Sequence, residues 1–350
     1  MLKILFTNIL FRIPGYCSLF GFKSKFIWMI HPLNLQDIYR RYKILKILPE
    51  EVLFFLLKFL PPLVLSRVDG IIDENNNNIN GYIFGCFLTS KMIANNKELV
   101  YKKILKGIKL GHRLGVDIFC MGGMLSVDKD TELEIMSKYS IYLNNGSCLL
   151  SDVILQRITS ILNNIGKDFQ DISIGVVNAT SFKGKIISKY LSLNNFKYIN
   201  LIGRDYQHLE DLSLEINKDN INIFDNLEHI KNCDLVIIAP ALGRLEFVDD
   251  CFKNDFIVCD VNTPPYNYNI LQKQYQNLIV FKDELINTEC VKYYYDLGIS
   301  KNNSYICLAE TFLLSKLINN KESFYNDLSM EKVKKVAELF KKSGFFLIKK

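Results

Sequence analysis

The sequence predicts an α/β protein with a doubly wound parallel sheet, a second α/β domain at the N-terminus and a C-terminal helical extension. The first observation is the order strand, turn, helix, strand over Ile172–Arg204. The short apolar run Ile174–Val177 is typical of a buried strand, and Tyr198–Ile202 predicts its parallel neighbour. The second observation is an alternation of strand and helix patterns over residues 30–165. The 350-residue chain is 49% apolar, which suits two domains with substantial cores.

The turn after the first of these strands is typical of a Rossmann-like, nucleotide-binding sheet. Asn178 and Ser181 stand where two glycines would let the backbone approach a pyrophosphate, whereas Gly184 is kept. Asn tolerates a positive φ, so Asn178 is compatible with binding, and Ser181 is expected to be the worse substitution. Arg204 ends the second strand, where a guanidinium would meet a 2′-phosphate, which favours NADPH over NADH. The candidate cofactor-binding residues here are Asn178, Ala179, Thr180, Ser181, Gly184 and Arg204.

Two further strand ends are positioned to meet a ligand. Ala239 and Pro240 follow the predicted strand Cys233–Ile238, and Asn262–Pro265 follow the predicted strand Phe256–Val261. Ligands of open α/β sheets lie outside the carboxyl ends of the strands. Ala239 and Pro240 therefore join the candidate cofactor-binding residues.

The composition describes a mildly basic soluble protein. Its net charge of +6 is spread over 43 Lys and Arg and 37 Asp and Glu residues, and the many lysines accompany a bias toward Asn and Ile. No nucleic-acid partner is therefore predicted. The nine cysteines form no C-x-x-C pair and no Cys/His cluster, so no metal site is expected. With no cleavable signal peptide, reduced thiols in the cytoplasm are expected.

No apolar stretch reaches the roughly eighteen residues of a membrane-spanning helix. The N-terminal arm, residues 1–29, is apolar with interspersed Lys and Arg, and it is compatible with peripheral membrane contact or with a packed or poorly ordered arm. A helix near Val52–Leu57 would be apolar on nearly every side, so it would be buried or lie against lipid or a long-chain ligand, and burial is the expected outcome.

Four regions are predicted along the chain. Residues 1–29 are the arm, 30–167 an N-terminal α/β domain for substrate, 168–290 the Rossmann-like NADP-binding domain, and 291–350 a C-terminal helical segment. Within the second region, the polar run Asn75–Asn78 between apolar segments predicts a hairpin. A helix is expected from about Lys97 to Leu114 and a strand over Asp117–Met121.

Short motifs also follow one another in a specific order from about His31 to Phe346. They are His31-Pro32, Asp37–Arg40, Leu60–Pro62, Ser66-Arg67, Gly81–Cys86, Leu88-Thr89, Asn178–Gly184, Arg204, Cys259–Pro264, Cys307–Glu310 and Lys342–Phe345. In this order the chain resembles a diverged member of the long-chain acyl-(acyl-carrier-protein) reductases and their uncharacterised relatives.

The resemblance implies a two-step reaction. Members of the family transfer a fatty acyl group from a carrier-protein thioester to an enzyme cysteine, and NADPH then delivers hydride to release a fatty aldehyde. The nucleophile belongs to a C-x-A-E motif, which matches Cys307–Glu310 here. The implied acyl donor is acyl-carrier protein or acyl-CoA, and an aldehyde-consuming enzyme is a further expected partner. A cytoplasmic location is expected from the reduced thiols, and the N-terminal arm is compatible with membrane association.

The physical case for Cys307 rests on its position at the start of a predicted helix. A thiolate attacks a thioester, so the thiol pKa must fall from about 8.5, and the N–H groups of a first helical turn favour that. Taken by spacing alone, Cys307 is more typical of a small buried side chain. Cys259 is the rival candidate, although its aliphatic neighbours indicate a strand core.

Four other side chains complete the candidate site. Glu310 is expected to cap N–H groups or to orient a proton. Tyr39 is a candidate contact for the substrate's phosphopantetheine or carrier, against a default of a solvated helix face, and Ser66 and Arg67 are candidate substrate-binding residues in the first domain. His31 is expected to be structural rather than an acid or base.

Two other functions remain open at the level of sequence. The replaced glycines are compatible with a diverged protein that binds an acyl chain or a partner without turnover. A dehydrogenase acting on a small amino or hydroxy acid is also compatible, since one fold serves many chemistries.

Overall fold

The computed structural model describes residues 8–11, 24–239, 256–261, 268, 272, 275, 278–282, 285–317, 322–326 and 328–348. The chain divides into two compact units. The first unit consists of Met1–Gly146, Leu285–Asp327 and Glu338–Lys350, and the second of Ser147–Glu284 and Leu328–Ala337.

The described residues form fifteen strands and ten helices that can be bounded. The strands are β1 (Phe26–Ile30), β2 (Leu63–Ile72), β3 (Asn78–Gly85), β4 (Ile118–Met121), β5 (Tyr142–Asn144), β6 (Ser173–Val177), β7 (Tyr198–Ile202), β8 (Ile221–Phe224), β9 (Leu235–Ile238), β10 (Ile257–Asp260), β11 (Ile279–Lys282), β12 (Leu285–Asn287), β13 (Lys292–Tyr293), β14 (Asn303–Tyr305) and β15 (Phe346–Leu347). The helices are α1 (Leu35–Arg41), α2 (Glu50–Phe59), α3 (Ser90–Asn95), α4 (Lys97–Arg113), α5 (Lys129–Tyr139), α6 (Ser147–Ile165), α7 (Phe182–Leu191), α8 (Tyr206–Ile216), α9 (Ile306–Ser315) and α10 (Met330–Lys342). Short 3₁₀ helices occupy Lys43–Ile47, Phe169–Asp171 and Leu227–Asn232.

The sheet of the first unit is mixed, with the order β13-β2-β3-β1-β4-β5. Strands β3, β1, β4 and β5 are parallel, whereas β2 pairs antiparallel with β3. The β2–β3 hairpin turns through Asn75–Asn77, where the carboxylate of Asp73 accepts from the backbone N–H groups of Asn75 and Asn77. This confirms the predicted hairpin, because side-chain acceptors of this kind favour a tight turn.

Helix α4 shows how the sequence defines an element of the first unit. The side chain of Asn96 accepts from the backbone N–H of Leu99 and caps the helix, and His112 and Arg113 lie in its last turn. Its buried stripe includes Val100, Ile104 and Ile108, which recur at helical spacing against the sheet. The predicted helix is confirmed within one residue at its C-terminal end.

The sheet of the second unit is wholly parallel, with the order β11-β10-β9-β6-β7-β8. Numbered from its first strand, this is the order 3-2-1-4-5-6 of a doubly wound dinucleotide-binding sheet. Its strands are apolar runs such as β9, in which all four residues are buried, because helices cover both faces of parallel sheets. The predicted α/β fold with a Rossmann-like doubly wound sheet is therefore confirmed.

The compact units differ from the predicted regions at both ends of the Rossmann-like domain and within the C-terminal segment, of which Leu328–Ala337 belong to the second unit. The first unit ends at Gly146, so α6 belongs with the second unit instead of the substrate domain. Residues 285–327 return to the first unit: β13 extends its sheet beside β2, and Phe312 of α9 packs edge-on against Phe26 of β1 at 5.6 Å. The C-terminal segment also contains the strands β13, β14 and β15 and is thus not purely helical.

Helix α2 is not buried on every side. Leu53 and Leu57 are buried, whereas Phe55 and Phe59 are exposed. The expected burial is therefore wrong for half of the helix, because apolar spacing alone does not tell which apolar face meets the core. No helix of the described residues is long and apolar enough to cross a membrane.

Candidate functional site

Two candidate sites emerge, one in each compact unit. In the second unit, the sheet reverses its winding between β6 and β9, and the turn that leaves β6 lies at this point. Asn178 begins the turn with a φ of 56°. Its Nδ2 donates to the carbonyl oxygen of Ala239 at 2.9 Å, and the N–H of Ala239 donates to the carbonyl oxygen of Val177 at 3.0 Å. Asn178 and Ala239 therefore join the carboxyl ends of the two strands, where open α/β sheets bind ligands.

Gly184 has the close-packing role of a fingerprint glycine. A Cβ at this residue would lie 2.3 Å from the carbonyl oxygen of Asn178 and 2.9 Å from the Cα of Ala179. Any side chain would therefore push α7 away from the turn. Two of the three fingerprint positions thus have suitable geometry, since Asn178 adopts the left-handed conformation and Gly184 allows the close approach.

Ser181 is better placed than we expected. Its φ is −65°, so its side chain causes no backbone strain, and its hydroxyl accepts from the N–H of Gly184 at 3.1 Å as the N-cap of α7. The prediction that Ser181 is the worse substitution is thus wrong on backbone grounds. The hydroxyl does use one of the first-turn N–H groups with which helix N-termini bind phosphate.

The end of β7 lies beside this turn. Thr180 Oγ1 would be 3.7 Å from a Cβ at Gly203, and the next residue, Arg204, is exposed. Arg204 makes no ion pair with any residue that the structure describes. The turn and Arg204 could hold the pyrophosphate and 2′-phosphate of a dinucleotide. Pro240 and Asn262–Pro265 lie outside the described residues.

In the first unit, Cys307 is the second residue of α9. Its side chain is half-buried, and the preceding N-cap, Tyr305, provides no side-chain hydrogen bond to the first turn. The predicted helix start is confirmed, and the thiol lies within the turn where the helix dipole favours a negative charge. By contrast, Cys259 is buried within β10, as its aliphatic neighbours predicted.

The loop after β5 lies directly against Cys307. Gly146 has a φ of +79°, and a Cβ there would lie 2.4 Å from the Cα of Cys307 and 2.7 Å from its Cβ. Only glycine suits both the backbone conformation and this approach. Asn144 Oδ1 accepts from the N–H of Gly146 at 2.7 Å and so fixes the loop.

A set of polar groups holds the backbone of Cys307. Thr311 Oγ1 donates to the carbonyl oxygen of Cys307 at 2.7 Å and is itself contacted by Nδ2 of Asn144 at 3.1 Å. Cys120 Sγ also lies 3.5 Å from the Cys307 carbonyl oxygen. Sequence reasoning missed Asn144, Cys120 and Thr311 as members of this cluster, although Thr311 lies one helical turn after Cys307, where side chains share a face.

Cys120 and Glu310 are buried beside this cluster. Burial raises the pKa of the Cys120 thiol well above its usual range, and the neighbouring Cys307 and Glu310 raise it further. Cys120 therefore remains a neutral thiol next to Cys307. Glu310 is completely buried and lies one turn into α9, and its role in capping N–H groups or orienting a proton stays a prediction.

The remaining candidates of the first unit occupy structural positions. Tyr39 is buried in α1, with 7% of its surface exposed, and is not on a solvated helix face. Ser66 Oγ donates to the carbonyl oxygen of Arg67 and accepts from the N–H of Tyr294 at 2.9 Å. Arg67 is exposed and pairs with Asp69 at 2.7 Å. Among the described residues, Tyr39, Ser66 and Arg67 are not brought into contact with Cys307.

His31 is structural, as predicted. Its Nε2 accepts from the backbone N–H of Met124 at 3.0 Å and its Nδ1 contacts the carbonyl oxygen of Pro32 at 3.0 Å. A Cβ at Gly123 would lie 2.5 Å from Nε2, so the loop after β4 packs directly on the ring. Burial lowers the pKa of His31, which keeps the ring neutral and able to accept. Within the described residues no group of three His, Cys, Asp or Glu side chains could hold a metal ion.

No family model matches the chain, and no curated protein matches it. Solved structures of several dehydrogenases do. An alcohol dehydrogenase from Pyrobaculum aerophilum matches with 13% identity and a TM-score of 0.25, over 31% of this chain and 34% of its own. L-tryptophan dehydrogenase from Nostoc punctiforme matches with 9% identity and a TM-score of 0.42, over 90% and 80%. Quinate dehydrogenase from Corynebacterium glutamicum, solved with NAD, matches with 12% identity and a TM-score of 0.38, over 74% and 87%.

Proposed function

We propose that this protein is an NAD(P)-dependent oxidoreductase. The observation that carries the proposal is the turn Asn178–Gly184 at the reversal point of a 3-2-1-4-5-6 sheet. Asn178 supports it with a left-handed backbone conformation and Gly184 with the close approach of α7. The exposed Arg204 favours a cofactor with a 2′-phosphate, so we propose NADPH.

We further propose that the substrate is a long-chain acyl thioester of acyl-carrier protein or CoA. The Cys307 thiolate attacks the thioester carbon, a new S–C bond forms, and the bond to the donor sulfur breaks. The departing thiolate takes the proton that Cys307 gave up, so charge and atoms balance. An NADPH held by Asn178, Gly184 and Arg204 would supply hydride, the chemistry needed to reduce the S-acyl carbon to an aldehyde and return Cys307 as a thiolate.

The first turn of α9 and three further residues support Cys307 in this role. The first turn of α9 favours the thiolate, because the dipole of a helix stabilises negative charge at its N-terminus. Thr311 and Asn144 fix the carbonyl of Cys307 through two linked hydrogen bonds, and Gly146 allows the β5 loop to pack on its backbone. Nucleophiles react faster when neighbouring groups hold them in one geometry.

The acyl-transfer step is tested by intact-mass analysis after exposure to a long-chain acyl-CoA or acyl-carrier protein. We expect one acyl adduct on the wild type, none on Cys307→Ser, and loss of the wild-type adduct when NADPH is added. The matched control is Cys290→Ser, since Cys290 is an exposed free cysteine of the same unit. An adduct that persists on Cys307→Ser would contradict the role of Cys307.

The cofactor is tested separately by fluorescence titration. We expect NADPH to bind more tightly than NADH, and Arg204→Ala to weaken NADPH binding by roughly tenfold, the loss of one charge-assisted contact, with little effect on NADH. Lys218→Ala, another exposed cation of the second unit, serves as control. Equal affinity of wild type and Arg204→Ala for NADPH would rule out the proposed 2′-phosphate contact.

A second function is favoured by Ser181. Because its hydroxyl already uses the N–H of Gly184, the turn has one phosphate-binding group fewer than a glycine-rich one. A protein that holds an acyl group without reducing it would form the adduct, bind no NADPH and release no aldehyde. Reduction of a small hydroxy or amino acid that survives Cys307→Ala would instead identify a small-molecule dehydrogenase.

A further inference from the structure

Several exposed apolar side chains of the first unit lie between Lys43 and Phe59. Large side chains that would normally be buried face solvent there: Ile44 at 74% exposure, Ile47 at 81%, Phe55 at 59% and Phe59 at 69%. Val52 and Leu56 are also exposed. We call these six side chains the apolar patch. Exposed apolar side chains that share one helix face, as Val52, Phe55, Leu56 and Phe59 do, mark an interaction site more often than singly exposed ones.

The patch follows from the geometry of α2. Val52, Phe55, Leu56 and Phe59 recur at i, i+3, i+4 and i+7 and so share one face of the helix. Phe55 and Phe59 contact each other at 4.9 Å between ring centroids. Leu53 and Leu57, on the opposite face, are buried, so the helix is already anchored without its outer face.

Three lysines accompany the apolar patch in sequence. Lys43 and Lys46 each precede one of the two isoleucines on the 3₁₀ helix, and Lys58 precedes Phe59; all three are exposed. None of them pairs with an acidic side chain among the described residues. Two acidic residues, Glu50 and Glu51, lie between these lysines in the sequence. They occupy the first turn of α2, where their negative charge interacts favourably with the helix dipole.

We propose that the apolar patch and its three lysines bind the surface of an anionic lipid bilayer. Apolar side chains with lysines beside them are the pattern of interfacial helices, which bury one face at the boundary between headgroups and acyl chains. The lysines complement anionic headgroups, each contributing to binding near a charged membrane surface. The proposal concerns the first unit alone and does not depend on the proposed reaction.

Two other occupants fit less well. In a symmetric pair of copies the patch would face itself, and Lys43, Lys46 and Lys58 would meet the same three charges. A protein partner would need pockets for side chains that project with most of their surface exposed, such as Ile47. Lipid chains adapt to any such shape.

The test is co-sedimentation of the full chain with vesicles of equal parts phosphatidylcholine and phosphatidylserine. We expect binding to these vesicles, much weaker binding to phosphatidylcholine alone, and a loss of roughly a hundredfold in Phe55→Ser/Phe59→Ser, because each buried ring contributes strongly. Lys43→Ala/Lys46→Ala should lose about fivefold per lysine, and this loss should shrink at high salt.

The matched control is Leu214→Ser, which removes a side chain that is 72% exposed on α8. It should bind vesicles like the wild type. Urea unfolding of each variant checks that the fold persists; if the double serine variant unfolds early, the double alanine variant alone decides the question. Absence of binding by the wild type would overturn the proposal. The proposal would also be overturned if the patch variants bound vesicles like the wild type but had lost self-association or binding to acidic carrier protein.

Discussion

Gly146 shows how a residue without a side chain allows close packing against the backbone of another residue, Cys307. Its positive φ and the 2.4 Å that would separate a Cβ from the Cα of Cys307 leave no room for any other residue. The carbonyl of Cys307 is held from the other side by Thr311. The first turn of α9 is therefore fixed between a loop and its own following turn.

We expect Gly146→Ala to lower the free energy of unfolding by about 3 kcal/mol, combining left-handed strain with overpacking. Gly115→Ala is the matched control, because Gly115 has a φ of +68° but nothing within 4 Å of an added Cβ. It should cost only about 1 kcal/mol, the backbone strain alone. Urea unfolding at one pH measures both.

The rate of acyl-adduct formation should also fall in Gly146→Ala and stay unchanged in Gly115→Ala. If the two alanine variants were equally stable, the contact between the β5 loop and Cys307 would be absent in solution.

Two residues of the turn in the second unit show which structural roles the residue type predicts and which it does not. Asn178 was compatible with a left-handed conformation from its type alone, and it adopts one. Ser181 looked unfavourable because a fingerprint glycine was replaced. The φ of Ser181 is negative, so serine causes no backbone strain there. The tertiary structure shows that the Ser181 side chain caps α7.

At the scale of elements, the loop after β4 is organised around a neutral histidine. The His31 ring accepts from Met124 and supports Gly123, whose missing Cβ allows the contact. Protonation of Nε2 would remove the acceptor. The conformation of the loop and the charge state of the ring are therefore linked.

This linkage predicts a direction for stability with pH. Burial lowers the pKa of His31 below its ordinary 6.5, so in the window beneath 6.5 the unfolded chain binds a proton that the folded chain does not. The contribution of His31 is complete above the unfolded pKa and is lost as pH falls through the folded pKa. Urea midpoints measured from neutral to acidic pH should fall less steeply in His31→Gln than in wild type.

His112 is an exposed histidine of the same unit and provides the comparison. His112→Gln is the control for the loss of an exposed imidazole. Identical slopes in wild type and His31→Gln would mean that the buried ring does not titrate in this range.

For the whole molecule, the first unit is assembled from separate parts of the chain. Residues 285–327 supply β13 beside β2 and α9 on the sheet, where Phe312 meets Phe26 and Phe345. A fragment that ends before these residues leaves the Phe26 face of the sheet without its cover. Compactness here depends on contacts between residues far apart in sequence.

We therefore expect the fragment 1–167, which is the predicted arm together with the predicted N-terminal domain, to lack a cooperative urea transition. A chain in which a flexible Gly/Ser linker joins residue 146 to residue 285 should regain one, because it contains the whole first unit. Cooperative unfolding of 1–167 with the slope expected for its size would contradict this view.

The sequence alone determined the strands and helices with strong periodicity, such as β6, β7 and α4, the doubly wound sheet, and the helix start at Cys307. Those features depend on local spacing and on residue type, which a single sequence contains. The tertiary structure decided which apolar face of α2 is buried, that Asn144, Gly146 and Thr311 meet Cys307, and that the chain after Leu285 completes the first unit. Each of these depends on contacts between distant residues, and no local pattern specifies the partner that a side chain will meet.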